Sequence, residues 1–155
     1  MSDASNYNVS VQTVVARPIA AVRARVPVGN VSASFKPYLD QVYAARANGI
    51  QLDGQNIFVY RAVHEPEGVV DAEFGVGAKA PFTPVGAVEY RQVPSGEVAT
   101  ATHWGDYGTL RKAHEAVVAW CRANGRALSG TSWEVYGHWT GNPADQRTDV
   151  FYLLG

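Results

Sequence analysis

Apolar and polar residues alternate along eight short segments of the chain, and this alternation predicts β-strands. Turn-forming Gly, Pro, Asn and Ser residues separate most of these segments. The predicted strands are Val9–Val15, Ala20–Val26, Gln55–Val63, Val69–Ala78, Val85–Gln92, Glu97–His103, Ser132–Trp139 and Thr148–Leu154. The chain is therefore expected to build most of its structure from β-hairpins.

Two other segments follow the helical period, and each lies between predicted strands. The spacing predicts a helix over Thr109–Asn124 that ends at Asn124-Gly125. A second helix is predicted over Ser34–Ala47, with Pro37 in its first turn if Ser34 caps the helix. The apolar stripe of the longer helix consists of Leu110, Ala113, Val117, Trp120 and Cys121.

The chain contains an internal repeat with an offset of 76 residues. The tetrapeptide RANG occurs at residues 46–49 and 122–125, and 122 − 46 = 76. Without gaps, the same offset aligns Pro18 with Pro94 and Tyr60 with Tyr136. A chance tetrapeptide is the alternative, but the matches spread over the whole unit. We therefore expect one domain over residues 1–155, with copies near residues 9–76 and 85–152.

The predicted fold class is α+β, with two pseudo-symmetric strand–helix–strand–strand modules. Their strands are expected to join into an antiparallel sheet that carries both helices on one face. A ligand groove is expected between the modules. The residues of the linker between the two copies are predicted to be Lys79–Pro84.

Amino-acid composition argues against several classes of protein function. The chain has 155 residues, a net charge of −1, 17% charged residues and 11% aromatic residues. It has no basic excess, so nucleic-acid binding is not expected. It has no apolar run of membrane-spanning length and no secretory signal at its N-terminus, so we expect no membrane association. The lone Cys121 makes no internal disulfide, which fits a cytoplasmic location.

The strand Ser132–Trp139 places a carboxylate among aromatic residues. Alternation puts Glu134 and Tyr136 on one face, and the repeat aligns them with Phe58 and Tyr60. We expect the opposite face, with Trp133, to pack against the helices. A carboxylate with aromatic walls attracts a flat cation through charge and cation–π interactions. The alternative is a solvated glutamate on a strand.

The remaining reactive residues are not expected to form a site. The four histidines do not have the spacing of a zinc motif, and we predict that they lie on the surface or on a helix face. Cys121 is expected to be a buried, inert thiol. We predict no metal and no cofactor. Trp139 is expected in the core or in a pocket wall.

The chain resembles the GyrI-like family, also known as the AraC-type or BmrR-type effector-binding domain. The resemblance rests on Trp104-Gly105-Asp106-Tyr107, on the helix with Trp120, and on Trp133-Glu134-Val135-Tyr136. It covers nearly the whole chain, and the duplicated unit is that family's architecture of two SHS2 modules. The resemblance implies a groove that binds bulky, often cationic, aromatic compounds, with Glu134 as the central charged contact.

The resemblance leaves three functions open. The first is a stand-alone, multidrug-type binding protein that sequesters its ligand. The second is a hydrolase that opens the cyclopropane of DNA-alkylating compounds, with Glu134 as general base and Tyr136 or Tyr107 as hydrogen-bonding groups. The third is a protein-interaction module similar to an inhibitor of DNA gyrase. Direct DNA binding is not expected, since about eight residues precede the first strand. The predicted ligand-binding residues are Phe58, Tyr60, Trp104, Tyr107, Glu134 and Tyr136.

Overall fold

The structure is a computed structural model that describes residues 7–155. It contains eight β-strands and three α-helices in the described residues. The strands are β1 Ser10–Val14, β2 Arg17–Pro27, β3 Leu52–His64, β4 Val69–Ala78, β5 Val88–Val93, β6 Gly96–Trp104, β7 Leu128–Tyr136 and β8 Arg147–Leu154. The helices are α1 Val31–Ser34, α2 Lys36–Ala44 and α3 Arg111–Ala123.

The chain divides into two compact units. The first unit is Ala16–Val93, and the second combines the residues up to Val15 with Pro94–Gly155. Within the first unit the strands pair antiparallel in the order β3-β4-β2-β5. Within the second unit the order is β1-β6-β8-β7. Strands and helices in one chain with purely antiparallel pairing confirm the predicted α+β class.

The first strand of each predicted copy pairs outside that copy. Strand β1 pairs with β6, and β5 pairs with β2. The compact units therefore begin and end at different residues from the copies near 9–76 and 85–152. The 76-residue offset still relates elements between the units, because β3 begins at Leu52 and β7 begins at Leu128.

The second unit carries α3 on the sheet face that includes Glu134. Glu134 pairs with Val150 across β7 and β8, so both side chains point to the same face. Val150 is fully buried in one cluster with Ala113 and Val117 of α3. The prediction that the helix covers the Trp133 face is therefore wrong for this unit. Trp133 instead stacks on Phe151 on the other face, with ring centroids 5.6 Å apart.

The first unit shows the same arrangement. Tyr38 of α2 stacks on Phe74 at 5.5 Å, and Phe58 meets Phe74 edge-on at 5.0 Å. The helix therefore packs on the Phe58 face, and the predicted Ile57 face is wrong here too. Both face assignments relied on the apolar character of single strands. Small residues of α3 and aromatic residues near α2 decide instead which face each helix covers.

Several element boundaries differ from the predicted ones, most of all in the first helix and in β7. The expected helix Ser34–Ala47 is split into α1, α2 and a 3₁₀ turn at Ala45–Asn48, with Pro37 in the first turn of α2 as predicted. Strand β7 ends at Tyr136, three residues before the predicted end at Trp139. Trp139 is 61% exposed, which excludes the core, whereas its alternative place in a pocket wall stays a prediction. No helix in residues 7–155 is long and apolar enough to cross a membrane.

Candidate functional site around Glu134

Glu134 is a buried carboxylate that accepts hydrogen bonds at both oxygens. It lies on β7 beneath α3, and the residue is only 5% exposed. The His114 Nε2 donates to Oε2 at 2.6 Å, and the Tyr136 hydroxyl donates to Oε1 at 2.5 Å. Two short donors of this kind fit an ionised carboxylate, which only accepts.

His114 reaches Glu134 from the buried side of α3. It lies four residues after Leu110 and three before Val117, so it belongs to the same helix face as those core residues. Its Nδ1 lies 2.8 Å from the Tyr152 hydroxyl. Because the ring donates from Nε2 to the carboxylate, neutral His114 accepts at Nδ1 and Tyr152 donates. We call Glu134, His114, Tyr136 and Tyr152 the Glu134 site.

Tyr152 is a protonated donor under ordinary conditions. Burial raises the pKa of its hydroxyl to about 12, and the nearby charge of Glu134 adds to that rise. A hydrogen bond from Ser132 acts in the opposite direction. Ser132 and Tyr152 are directly paired across β7 and β8. The hydrogen-bonded chain therefore runs from Ser132 through Tyr152 and His114 to Glu134.

Tyr107 forms the partly exposed side of the site. Its ring meets the Tyr136 ring edge-on, with centroids 5.5 Å apart, and the residue is 45% exposed. Partial burial raises the pKa of its hydroxyl. Tyr107 begins a 3₁₀ turn, and the buried His103 binds the turn through Asp106 O at 2.9 Å. The His103 Nδ1 in turn lies 2.9 Å from the Tyr7 hydroxyl. Both ring nitrogens of His103 therefore have hydrogen-bond partners, one of which holds the 3₁₀ turn that begins at Tyr107.

The structure brings together three of the predicted binding residues, which are Glu134, Tyr136 and Tyr107. Trp104 does not join them, because it ends β6 on the opposite face and is 60% exposed, with the Arg147 guanidinium 5.7 Å from its ring centre. Phe58 is 4% exposed in the core of the first unit, and Tyr60 follows it on β3. Their contact with a ligand stays a prediction.

Sequence reasoning missed His114 and misplaced His103. His103 is 3% exposed, so the prediction of a surface histidine is wrong for it. For His114 the missed signal was its spacing on the apolar stripe of the predicted helix. Cys121 is fully buried as predicted, and burial raises the pKa of its thiol. No group of three or more potential metal ligands occurs in the described part of the chain.

An open cavity of about 340 Å³ lies on the first unit and does not include the Glu134 site. Its charged walls are already paired: Arg23 binds Glu89 at 2.7 Å, and Arg25 binds Asp71 at 3.0 Å. It offers mixed charge and little apolar surface, so we do not assign it a ligand. It is lined by Arg23, Ala24, Arg25, Asp71, Ala72 and Glu73.

The α+β fold and the family match define the chain as a small-molecule binding domain. The chain belongs to the GyrI-like family: the model of the GyrI-like small molecule binding domain matches residues 7–153. This match confirms the family resemblance. None of the curated proteins compared with the chain matches it.

Several solved structures share the fold. The EcmrR C-terminal domain has a TM-score of 0.78 and 21% identity, with 96% of this chain and 98% of that chain covered. SAV2435 bound to tetraphenylphosphonium has a TM-score of 0.71 and 8% identity, with 96% and 94% covered. A hydrolase from Listeria innocua has a TM-score of 0.63 and 9% identity, with 96% and 92% covered. At these identities the likeness establishes the fold.

Proposed function

We propose that this small-molecule binding domain recognises bulky aromatic cations, with Glu134 as the charged contact and Tyr136 and Tyr107 as aromatic contacts. The observation that carries the proposal is the Glu134 carboxylate itself. It is 5% exposed, and the Tyr136 hydroxyl that binds it belongs to a ring packed on the half-exposed Tyr107. A cation that moves the Tyr107 ring away from Tyr136 would contact the Glu134 carboxylate and the faces of both aromatic rings.

The expected interaction is strong enough to decide selectivity. A cation about 5 Å from a carboxylate gains about 3 kcal/mol at an effective dielectric constant of about 20. Each aromatic face adds roughly 0.5–2 kcal/mol of cation–π attraction. Diffuse cations with aryl groups are favoured over compact ones, because they lose less hydration free energy on entering a buried site.

The comparison with SAV2435 supports this ligand class. That protein has the same fold and was solved with tetraphenylphosphonium, a cation with four aryl groups. The fold alone does not transfer a ligand at 8% identity. The proposal for this chain therefore depends on its own carboxylate and tyrosines.

The test is a titration of tetraphenylphosphonium into the wild-type protein and Glu134→Gln. The variant keeps the side-chain size but removes the charge, and we expect the dissociation constant to rise about 10- to 100-fold, which corresponds to about 1.4–2.8 kcal/mol. Glu115→Gln is the matched control, because its side chain is 64% exposed on the same helix as His114. Equal affinity of wild type and Glu134→Gln would disprove the charge role.

A hydrolase is the second candidate, and the hydrogen bond between His114 and Glu134 is the observation that favours it. A carboxylate oriented by a histidine and a tyrosine is arranged to accept a proton from water. Mass spectrometry of a cyclopropane-bearing alkylator after incubation with the protein separates the candidates. Recovery of intact compound at saturating protein leaves binding as the function.

Three further expectations remain proposals. We propose that the protein acts in the cytoplasm and that it does not bind DNA directly. Interaction with gyrase is the weakest of the three functions, because the aromatic residues of the site are packed against Glu134 and α3. A pull-down that captures gyrase would reverse this order.

A further inference from the structure

Two buried oxygen atoms beside the Glu134 site have no hydrogen-bond partner among residues 7–155. They are the Thr148 hydroxyl and the side-chain carbonyl of Gln146, and both residues are 0% exposed. We infer that they form a polar subsite that binds an N–H group of the ligand, so that the site selects aromatic cations with amino groups over aromatic cations without N–H donors. This inference rests on the proposed function and narrows its ligand class.

Thr148 lies on the same sheet face as Glu134, between two residues of the neighbouring strands. It pairs with Tyr136 across β7 and β8, and with His103 across β6 and β8. Directly paired side chains lie on one face, with Cβ atoms about 4.5–5.5 Å apart. The Thr148 side chain is therefore a neighbour of the tyrosine whose hydroxyl binds the Glu134 carboxylate.

The 3₁₀ turn that begins at Tyr107 contacts the residues on both sides of Thr148. The Tyr107 ring packs on Tyr136 on one side. On the other side the His103 Nε2 lies 2.9 Å from the Asp106 carbonyl oxygen. Because the turn spans this position, a ligand that moves the half-exposed Tyr107 ring reaches the Thr148 hydroxyl as well as the carboxylate.

Gln146 adds a second acceptor on the same face. It lies two residues before Thr148 in extended backbone, so the two side chains point the same way and their Cα atoms are about 6–7 Å apart. Its Nε2 donates to the Gly137 carbonyl at 2.9 Å, which orients the amide and leaves its carbonyl oxygen as the unpaired atom. An amide oxygen only accepts and a hydroxyl can accept, so the group that satisfies both is a donor.

Buried polar groups in proteins are normally paired, because an unpaired one costs free energy. Thr100 shows the usual arrangement: it is 7% exposed on the other face of β6, and its hydroxyl donates to the Val150 carbonyl at 2.8 Å. A third unpaired atom of the described residues, Arg91 Nε, still lies 3.0 Å from a Glu73 carboxylate oxygen. The remaining two both lie beside the Glu134 site, where a bound ligand supplies the donor.

The experiment compares proflavine with acridine orange in fluorescence titrations at neutral pH. Both dyes are planar acridinium cations, but the amino groups of proflavine carry N–H bonds, whereas those of acridine orange carry methyl groups. We expect the wild type to prefer proflavine, and Thr148→Val to reduce that preference about 3- to 10-fold, because it replaces the hydroxyl with a methyl group. Gln146 is left unchanged, since its Nε2 also holds the Gly137 carbonyl.

Thr100→Val is the matched control, since it removes a buried hydroxyl from the opposite face. It should keep the wild-type dye preference but melt below the wild type, because it loses a hydrogen bond. Thr148→Val should melt at or above the wild-type temperature, because its hydroxyl has no such bond to lose. A melting temperature of Thr148→Val as low as that of Thr100→Val overturns the inference, because the hydroxyl then has a partner, such as a buried water, in the free protein.

The ratio of the two dissociation constants separates this inference from the proposed function. An unchanged ratio in Thr148→Val overturns the inference, and so does an equal loss of affinity for both dyes. The proposed function stands in either case if tetraphenylphosphonium binding is weakened in Glu134→Gln. Failure of the wild type to bind any of the three cations overturns the proposed function and this inference together.

Discussion

Removal of the hydrogen bond from Tyr136 to Glu134 tests how much this contact contributes to the free energy of unfolding. Tyr136→Phe removes one hydroxyl and keeps the ring that packs on Tyr107. The lost contact is a 2.5 Å bond to a carboxylate that is 5% exposed. Glu134 then keeps the bond from His114 but loses its hydroxyl donor at Oε1.

A hydrogen bond to a buried charged group contributes about 1.5–3 kcal/mol to the free energy of unfolding. For a chain of this size, each kcal/mol corresponds to roughly 2–4 °C in the melting temperature. We therefore expect Tyr136→Phe to melt roughly 3–12 °C below the wild type. Tyr38→Phe is a matched control, because Tyr38 is stacked on Phe74 through its ring. It should change the free energy of unfolding by less than about 0.5 kcal/mol.

A double-mutant cycle shows whether the cost belongs to the charge. In the Glu134→Gln background the Tyr136 hydroxyl meets a neutral acceptor, for which a hydrogen bond contributes only about 0.5–1.5 kcal/mol. Urea denaturation at neutral pH, followed by circular dichroism, measures all four proteins. The reasoning is refuted if Tyr136→Phe costs the same in both backgrounds or costs nothing in the wild type.

Two other predictions concern groups with unusual burial. The Glu73 side chain is 2% exposed and binds Arg61 at 2.8 Å and Arg91 at 3.0 Å. We expect Glu73→Gln to lower the free energy of unfolding, measured in urea, by about 2–3 kcal/mol, which is below the usual range for buried pairs because both arginines are about one-third exposed. Glu89→Gln, whose partner is exposed, should cost less than about 1 kcal/mol, and equal costs would contradict this ranking. Tyr152, with its pKa raised to about 12, should ionise late in an ultraviolet titration of tyrosinate, and Tyr152→Phe should remove one tyrosine from that late step. Its stabilising contribution is complete below the ordinary tyrosine pKa of about 10 and is lost as the pH rises to about 12, so stability that is level over this range would exclude the shift.

The strands were predictable because their alternation is local. Each of the eight strands overlaps a predicted one, since β-branched and aromatic residues favour extended backbone wherever the chain later packs them. The end of β7 was less predictable. The Gly137 amide bonds the Arg147 carbonyl at 2.8 Å where the strand stops, and such a contact depends on residues ten positions apart.

The face of each sheet that a helix covers could not be read from one strand. The Trp133 face of β7 carries the more apolar side chains, so the sequence favoured it for helix packing over the Glu134 face. The choice is made by α3, whose small side chains fit against Val150 and whose His114 supplies a partner for the carboxylate. Glu134 itself was predictable as the charged residue of the site, whereas its hydrogen bonds depend on which helix residue lies above it.

Positions 76 residues apart show why the polar arrangement of the second unit calls for a function. In the first unit Tyr38, Phe58 and Phe74 form an aromatic cluster under α2. The same offset leads to His114, Glu134 and Val150 under α3 in the second unit. The fold is thus compatible with apolar side chains at these positions. A buried carboxylate, by contrast, costs free energy that its hydrogen bonds offset only in part. Since folding does not require this charge, we propose ligand binding as the role that explains it.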